Sequence, residues 1–327
     1  MGELRKNIAI VFGGFSGERV ISEKSALLVQ KYLADTEYNT FLVDIDVNDW
    51  QALVDGTKIA INRDDFSFEV DGSKVVFDGV FNAIHGTPGE DGKLQGYFDL
   101  IGMPYNNCGV LASSLSFDKA ACNRYLKASG VNVADSYLAR LGTTPDAASI
   151  IDRVGLPCFV KPNDGGSSIG VTKVKRIEDL EPAIKLAQEE EVDALIESFL
   201  DGVEVSCGCI SVDGKARAIG VTEIVPEGEF FDFNAKYESE KTEEITPARI
   251  SREVYDQIME QTELIYAWLH CKGMIRIDYM ICKDGVYLIE VNTTPGLSEE
   301  SIIPKQALHA GYSLTEFFQL STAAMFG

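Results

Sequence analysis

Four side chains toward the carboxyl end of the sequence could together hold a cation and steady a developing negative charge: Arg276, Asp278, Glu290 and Asn292. In Met274–Cys282, Ile275, Ile277, Tyr279 and Ile281 alternate with Arg276, Asp278, Met280 and Cys282, the period of a strand half-facing a core. Val286 to Asn292 alternates too, and Lys283-Asp284-Gly285 between them suits a three-residue hairpin loop closed by a left-handed glycine. A loop of that length pairs Cys282 with Val286, and the ladder then sets Asp278 opposite Glu290 and Arg276 opposite Asn292; a two-residue loop would put the carboxylates on opposite faces. Two carboxylates and an amide oxygen suit Mg²⁺, which takes one or two carboxylates and fills its remaining positions with substrate phosphates and water. The plain alternative is a charged surface cluster on an edge hairpin. Against it stands the turn that follows, Thr293-Thr294-Pro295-Gly296, whose backbone N–H groups can face an anion.

Lysines at two further places could meet that anion. A helix from Asp118 to Ser129 carries Lys119 in its first turn, where the helix dipole disfavours a cation unless an anion is bound. Cys158 to Val171, C-F-V-K-P-N-D-G-G-S-S-I-G-V, lacks the G-K-[ST] ending of a P-loop and leads into a strand. Strand, glycine loop and strand is how a hairpin covers nucleotide phosphates in kinases, with Lys161 reaching a phosphate beside Ser167 and Ser168; an ordinary hairpin turn is the alternative. The strand Ala194 to Glu197 runs into a linker, a hinge where Glu197 could hold ribose hydroxyls. Pro226 to Pro247 is acidic and has no core-forming pattern, which suits a lid bearing Phe231, Phe233, Lys236 and Tyr237.

The elements that must position these groups read as α/β. Ile8 to Phe12 is a short buried strand, followed by Gly13-Gly14-Phe15-Ser16-Gly17-Glu18 and a helix from Val20 to Leu33. The turn is not G-x-G-x-x-G, so a dinucleotide site is weakly supported, and Glu18 could simply complement the helix dipole. A strand Thr40 to Val43, a helix near Trp50, a hairpin around Asp71-Gly72 and a strand Val80 to Ile84 follow. The last ends in His85 to Gly92, H-G-T-P-G-E-D-G, opening a helix at about Lys93 on the sheet edge where open α/β folds bind ligands. Pro104 to Val110 leaves this unit. A helix Ile177 to Glu190, strands Glu204 to Ile210 and Ala216 to Val221, and a helix Ser251 to Cys271 complete the chain, with expected domains 1–109, 110–200 and 201–327.

At 327 residues the chain is long enough for two or three domains, and 29 basic against 51 acidic residues give a net charge of −22. That balance argues against a nucleic-acid or anionic-membrane surface. The apolar run Ile8 to Phe12 is too short for a signal-peptide core, and none approaches the ~20 residues of a membrane span. Seven cysteines without a C-x-x-C pair read as buried hydrophobes in a reducing compartment, so the cytoplasm is the expected location.

With the metal hairpin, two phosphate-facing lysines and a glycine loop in one chain, the sequence resembles the ATP-grasp ligases, and closely the D-alanine–D-alanine ligases. The resemblance runs through nearly the whole chain in order: G-G-F-S-G-E-R, H-G-T-P-G-E-D-G-K-L-Q-G, L-A-S-S-L-S-F-D-K, V-K-P-N-D-G-G-S-S-I-G-V, A-K-Y, R-I-D-Y-M, E-V-N-T-T-P-G and S-I-I-P. It implies a three-domain architecture, an N-terminal open α/β domain and two α+β domains clasping ATP. Lys119, Lys161, Ser168 and Lys236 would lie on phosphates, Glu197 and Glu204 on adenine-side and ribose groups, and Asp278, Glu290 and Asn292 on two Mg²⁺ ions that Mn²⁺ could replace. A first D-alanine, its ammonium near Glu18, would form an acyl phosphate that the amine of a second D-alanine attacks. Arg276 and the Gly296 N–H would hold the tetrahedral oxyanion, Ser301 the second carboxylate, and Glu18, Ser167 and Tyr237 would form one hydrogen-bonded set. The product would feed peptidoglycan precursor synthesis, from a protein able to form homodimers.

The sequence departs from that family at Thr294, where serine is common, at Asn163-Asp164, where a basic residue is common, and at Val20-Ile21. A ligase using D-lactate or another D-amino acid is the alternative enzyme. A relative that binds ATP without chemistry would have lost Arg276 or a metal ligand, and all are present.

Overall fold

The computed structural model describes residues 5–143, 145–165, 170–189, 192–226 and 243–326. Ser167, Ser168, Lys236, Tyr237 and most of the expected lid lie outside the described residues.

The first stretch forms β1 (Lys6–Gly13), α1 (Arg19–Leu33), β2 (Tyr38–Ile45), β3 (Trp50–Val54), β4 (Thr57–Ala60), β5 (Ser67–Val70), β6 (Ser73–Val76), β7 (Gly79–Asn82) and α2 (Lys93–Ile101). Its main sheet runs β4-β3-β2-β1-β7, with β1 parallel to β2 and β7. The carboxyl ends of β1 and β7 are therefore neighbours, which brings the glycine-rich loops at 13–18 and 85–92 together. The helix expected near Trp50 is instead strand β3, paired antiparallel with β2 and β4. The Asp55-Gly56 turn explains the difference: both residues have positive φ, 47° and 78°, the mirror-image turn that closes two-residue hairpins. Asp71-Gly72 closes β5–β6 in the same way, as expected.

The central stretch holds α3 (Val110–Phe117), α4 (Lys119–Ala128), β8 (Ser136–Ala139), α5 (Ala147–Val154), β9 (Cys158–Pro162), β10 (Thr172–Val174), α6 (Leu180–Ala187) and β11 (Ala194–Ser198), with an antiparallel sheet ordered β10-β9-β11-β8. The helix expected from Ile177 begins as a single 3₁₀ turn, Ile177–Asp179, before α6.

The last stretch holds β12 (Gly202–Val212), β13 (Lys215–Val225), β14 (Glu243–Ile245), α7 (Arg252–Trp268), β15 (Met274–Cys282), β16 (Gly285–Asn292), α8 (Ile302–His309) and α9 (Leu314–Ala323), with sheet order β14-β13-β12-β15-β16. Ala112 of α3 and Cys122 and Leu126 of α4 share a core with Ile277, Tyr279 and Val291 of this sheet. The first and last sheets also share a core: Phe81 meets Phe318 edge-on at 6.2 Å, among Ile8, Ile10, Ile210 and Met274. Where they cross, Gly273 (φ 63°) lies so near Asn106 that a Cβ there would stand 1.8 Å from its carbonyl oxygen. No helix among the described residues is long and apolar enough to cross a membrane.

The β15–β16 hairpin differs from expectation in its turn. Cys282 pairs with Gly285, so the turn has two residues, Lys283-Asp284, and Tyr279 faces Leu288. A bulge at Ile289 then adds the missing residue, and Asp278 pairs with Glu290 and Arg276 with Asn292.

Candidate active site

A cavity of about 900 Å³ opens between the central and last sheets, with the glycine-rich loops of the first at one end. Its wall includes Glu18, Lys119, Lys161, Asp164, Glu197, Glu204, Asp278 and Glu290, with Phe159, Phe199, Leu200, Met280 and Leu288 as apolar surface. Strand alternation explains the acidic wall: Ser206 of β12 faces Asp278, and Glu204 two residues away faces Met280, so all project to one side.

Arg276 forks onto Asp278, Nε to Oδ1 at 2.8 Å and Nη2 to Oδ2 at 2.7 Å, and its Nη2 stands 3.9 Å from Glu290 Oε1. Burial alone would lower its pKa, but Asp278 and Glu290 outweigh burial and hold the guanidinium charged. Ser206 Oγ donates to Asp278 Oδ1 at 2.6 Å, and the Asn292 amide donates to both carboxylates at 3.3 Å. No group of three or more His, Cys, Asp or Glu side chains that could by itself hold a metal ion occurs among the described residues. The donor set is therefore two carboxylates and an amide that can turn its oxygen inward, which fits an ion completed by phosphate and water and does not fit an all-protein cage.

Lys161, near the end of β9, reaches Glu197 of the adjacent β11 at 2.5 Å, both side chains almost buried. Burial would lower the lysine, but Glu197, Glu290 and Glu204 together raise it, so it stays an ammonium. Asn123 of α4 holds the other Glu197 oxygen at 2.9 Å. Lys119 begins α4, whose N-cap Asp118 accepts from Ala121 N–H at 2.9 Å. Asn163 docks the glycine loop onto this helix end: its Oδ1 accepts from Ala120 N–H and its Nδ2 donates to Asp118. Lys119 itself donates to the Gly165 carbonyl. Burial first, then Asp118, raise the Asp164 carboxyl above its ordinary range.

At the other end, Glu18 stands at the N-cap of α1 against Gly86, where an added Cβ would lie 3.2 Å from Glu18 Oε2. Glu90 accepts from Gly86 N–H at 2.9 Å, and burial followed by Glu18 pushes its carboxyl up to about 7. Two carboxylates facing one small space suit a bound ammonium. Arg276, Asn292, Gly296 and Ser301 do not line the large cavity. They join it through Asp278, Glu290 and the His85 loop: His85 Nδ1 is 2.8 Å from the Thr294 carbonyl, and a Cβ on Gly296 would meet Ser301 Oγ at 3.0 Å. Ser301 precedes α8 and its hydroxyl pairs with Ser298 at 2.8 Å.

Sequence reasoning missed His85, Glu90, Asn123 and Ser206. A signal existed for the first two, which sit in a glycine-rich loop that holds one of only three histidines. Asn123 and Ser206 carry no local signal, since their partners lie 74 and 72 residues away.

Two family models match the chain: D-ala D-ala ligase N-terminus over residues 7–108 and D-ala D-ala ligase C-terminus over residues 126–320. A D-alanine–D-alanine ligase of Bacteroides fragilis is 46% identical over 315 residues, 96% of this chain and 97% of that protein. One from Parabacteroides distasonis is 48% identical over 315 residues, 96% of this chain and 95% of its own. Among solved structures, D-alanyl-alanine synthetase A from Vibrio cholerae superposes with a TM-score of 0.89 at 27% identity, covering 100% of both chains. The VanG D-Ala:D-Ser ligase from Enterococcus faecalis gives 0.87 at 29% identity, covering 98% of this chain and 99% of that one.

Proposed function

This chain belongs to the D-alanine–D-alanine ligase family, and from that premise we propose that it joins two D-alanine molecules into D-alanyl-D-alanine while converting ATP to ADP and phosphate, supplying peptidoglycan precursor synthesis. The observation that carries this reading is the convergence of Lys161, Asp278, Glu290 and the Glu18 loop on one cavity. ATP lies between the central and last sheets, its base against the apolar wall near Phe159 and Phe199. Glu197 and Glu204 serve the adenine-side and ribose groups, and Lys119 and Lys161 the phosphates. Asp278, Glu290 and Asn292 would hold Mg²⁺, which when bound neutralises phosphate charge and orients the γ-phosphoryl group.

The chain's own residues then act in order. Glu18, with Glu90 beside it, holds the ammonium of the first D-alanine. Its carboxylate oxygen bonds to the γ-phosphorus as the bridging P–O bond breaks and ADP leaves. The second D-alanine binds through its carboxylate at Ser301, loses an ammonium proton to water, and its nitrogen attacks the acyl carbon, giving a second proton to solvent as the amide forms. Arg276 and the Gly296 N–H hold the oxyanion until the C–O bond to phosphate breaks; donors of this kind contribute ~3–4 kcal/mol each. The domains divide at 1–109, 110–200 and 201–327, and the protein works in the cytoplasm, a location supported by seven free cysteines.

The test is ATP-dependent phosphate release across D- and L-amino acids and D-lactate. Release with D-alanine alone, and the dipeptide as product, is expected. Release only with a second, different acceptor, or none with D-alanine, would overturn the reading.

A further inference from the structure

Two serines of α1, Ser22 and Ser25, are fully buried on a helix face otherwise built from Ala26, Leu28, Val29 and Leu33. A buried hydroxyl is costly unless paired, and both pair away from their own helix. Ser22 accepts from Gly13 N–H at 2.9 Å and donates to the Ala83 carbonyl at 2.8 Å, joining the roots of the two glycine-rich loops. Ser25 reaches farther, with Oγ 3.1 Å from His85 Nε2 and 3.2 Å from the backbone nitrogen of Leu297.

The donors in this group can be assigned by elimination. The Thr294 carbonyl, 2.8 Å from His85 Nδ1, can only accept, so Nδ1 carries the ring proton. In the neutral ring Nε2 is then an acceptor, and burial, the largest influence on His85, favours that neutral ring. Leu297 N–H can only donate. Ser25 therefore accepts from Leu297 and gives its own hydrogen to His85. The circuit runs from Leu297 N–H through Ser25 and His85 to the Thr294 carbonyl, and it grips Thr294-Pro295-Gly296-Leu297 at both ends with Gly296 between.

We infer that Ser25 is a positioning residue for the oxyanion site, holding the Gly296 N–H in place from a helix of the first sheet although the turn belongs to the last. The link to turnover rests on the role proposed for Gly296; the circuit rests on the hydrogen bonds alone. A Pro-Gly turn held only by its flanking strand can rotate at the glycine, and an oxyanion donor works only when it is aimed before the charge develops. At this position a hydroxyl accepts and donates at once. Cysteine keeps the volume and does both weakly.

The experiment compares wild type, Ser25→Ala and Ser25→Cys, with nitrogen NMR of the histidine rings, steady-state kinetics and thermal melting. The sequence has three histidines, so His85→Gln identifies the ring of interest. In Ser25→Ala the Nε2 resonance is expected to move toward that of a nitrogen without a donor. Dipeptide kcat falls about 10- to 100-fold while KM for ATP is unchanged, and Ser25→Cys recovers part of the loss. An unmoved Nε2 resonance, or a moved one with unchanged kcat, overturns the inference. So does a joint decline of kcat, ATP affinity and melting temperature, with Ser25→Cys no better than Ser25→Ala. Absence of D-alanine-dependent turnover in wild type would instead overturn the functional reading, and the ring resonance would still decide the circuit.

Discussion

Asp278 and Glu290 stand directly opposite one another across β15–β16, although the turn joining these strands is one residue too short to place them so. The bulge at Ile289 supplies the difference. Deleting Ile289 places Glu290 directly after Leu288, so the two-residue register runs straight through and still sets Glu290 opposite Asp278 on the same face. The deletion variant should therefore keep most of its turnover in steady-state phosphate release. A fall of ~10²-fold or more, the scale of a misplaced catalytic group, would show that the bulge matters for something besides register.

Glu90 makes stability depend on pH in an unusual direction. Its ordinary pKa of 4.5 applies to the unfolded chain, whereas burial and Glu18 keep it protonated in the folded protein to about pH 7. Between those values the folded form binds more protons, so stability falls as pH rises and the loss is complete above pH 7. At ~1.4 kcal/mol per unit the effect is at most about 3 kcal/mol, less where solvent screens the carboxyl. Glu90→Gln keeps an acceptor for Gly86 N–H and has no proton to lose. In urea titrations without substrate it should match wild type near pH 4 and exceed it by about 1–3 kcal/mol at pH 8. A difference independent of pH would contradict this assignment.

Lys161 and Glu197 test whether the cavity's charges are held for the nucleotide. Lys161→Met leaves Glu197 charged and nearly buried with Asn123 as its remaining partner in this group, which should cost about 3–5 kcal/mol. The double variant Lys161→Met/Glu197→Leu should regain most of that stability by removing the stranded charge. Calorimetric titration with ATP should show weak binding to both variants. Recovery of ATP affinity in the double variant would mean that the pair is structural only.

Gly273 marks where the first and last sheets meet. Alanine there would hold a positive φ and press on the Asn106 carbonyl, costing about 2–4 kcal/mol from backbone strain and overpacking together. Chemical denaturation of Gly273→Ala should show this loss. A stability equal to wild type would mean that the crossing relaxes freely.

Much of the site was legible locally. Alternation around Asp278 and Glu290, the glycines of two loops and a lysine at a helix start are properties of a few consecutive residues, and the structure brings Asp278, Glu290, Asn292 and Arg276 together. The hairpin shows where local reading ends. The expected pairing of Asp278 with Glu290 is observed, but through a two-residue turn and a bulge, because packing on β12 and on Asn132 decides where the extra residue goes. Trp50 was misread for a related reason: a short apolar run suits helix or strand, and its pairing with β2 decided the matter. Ser25, His85, Asn123 and Ser206 act across 60 or more residues of chain. Hydrogen bonds of that span leave no period in a sequence, since a buried serine and an exposed one are written with the same letter. Only the tertiary fold sets Ser25 between His85 and Leu297.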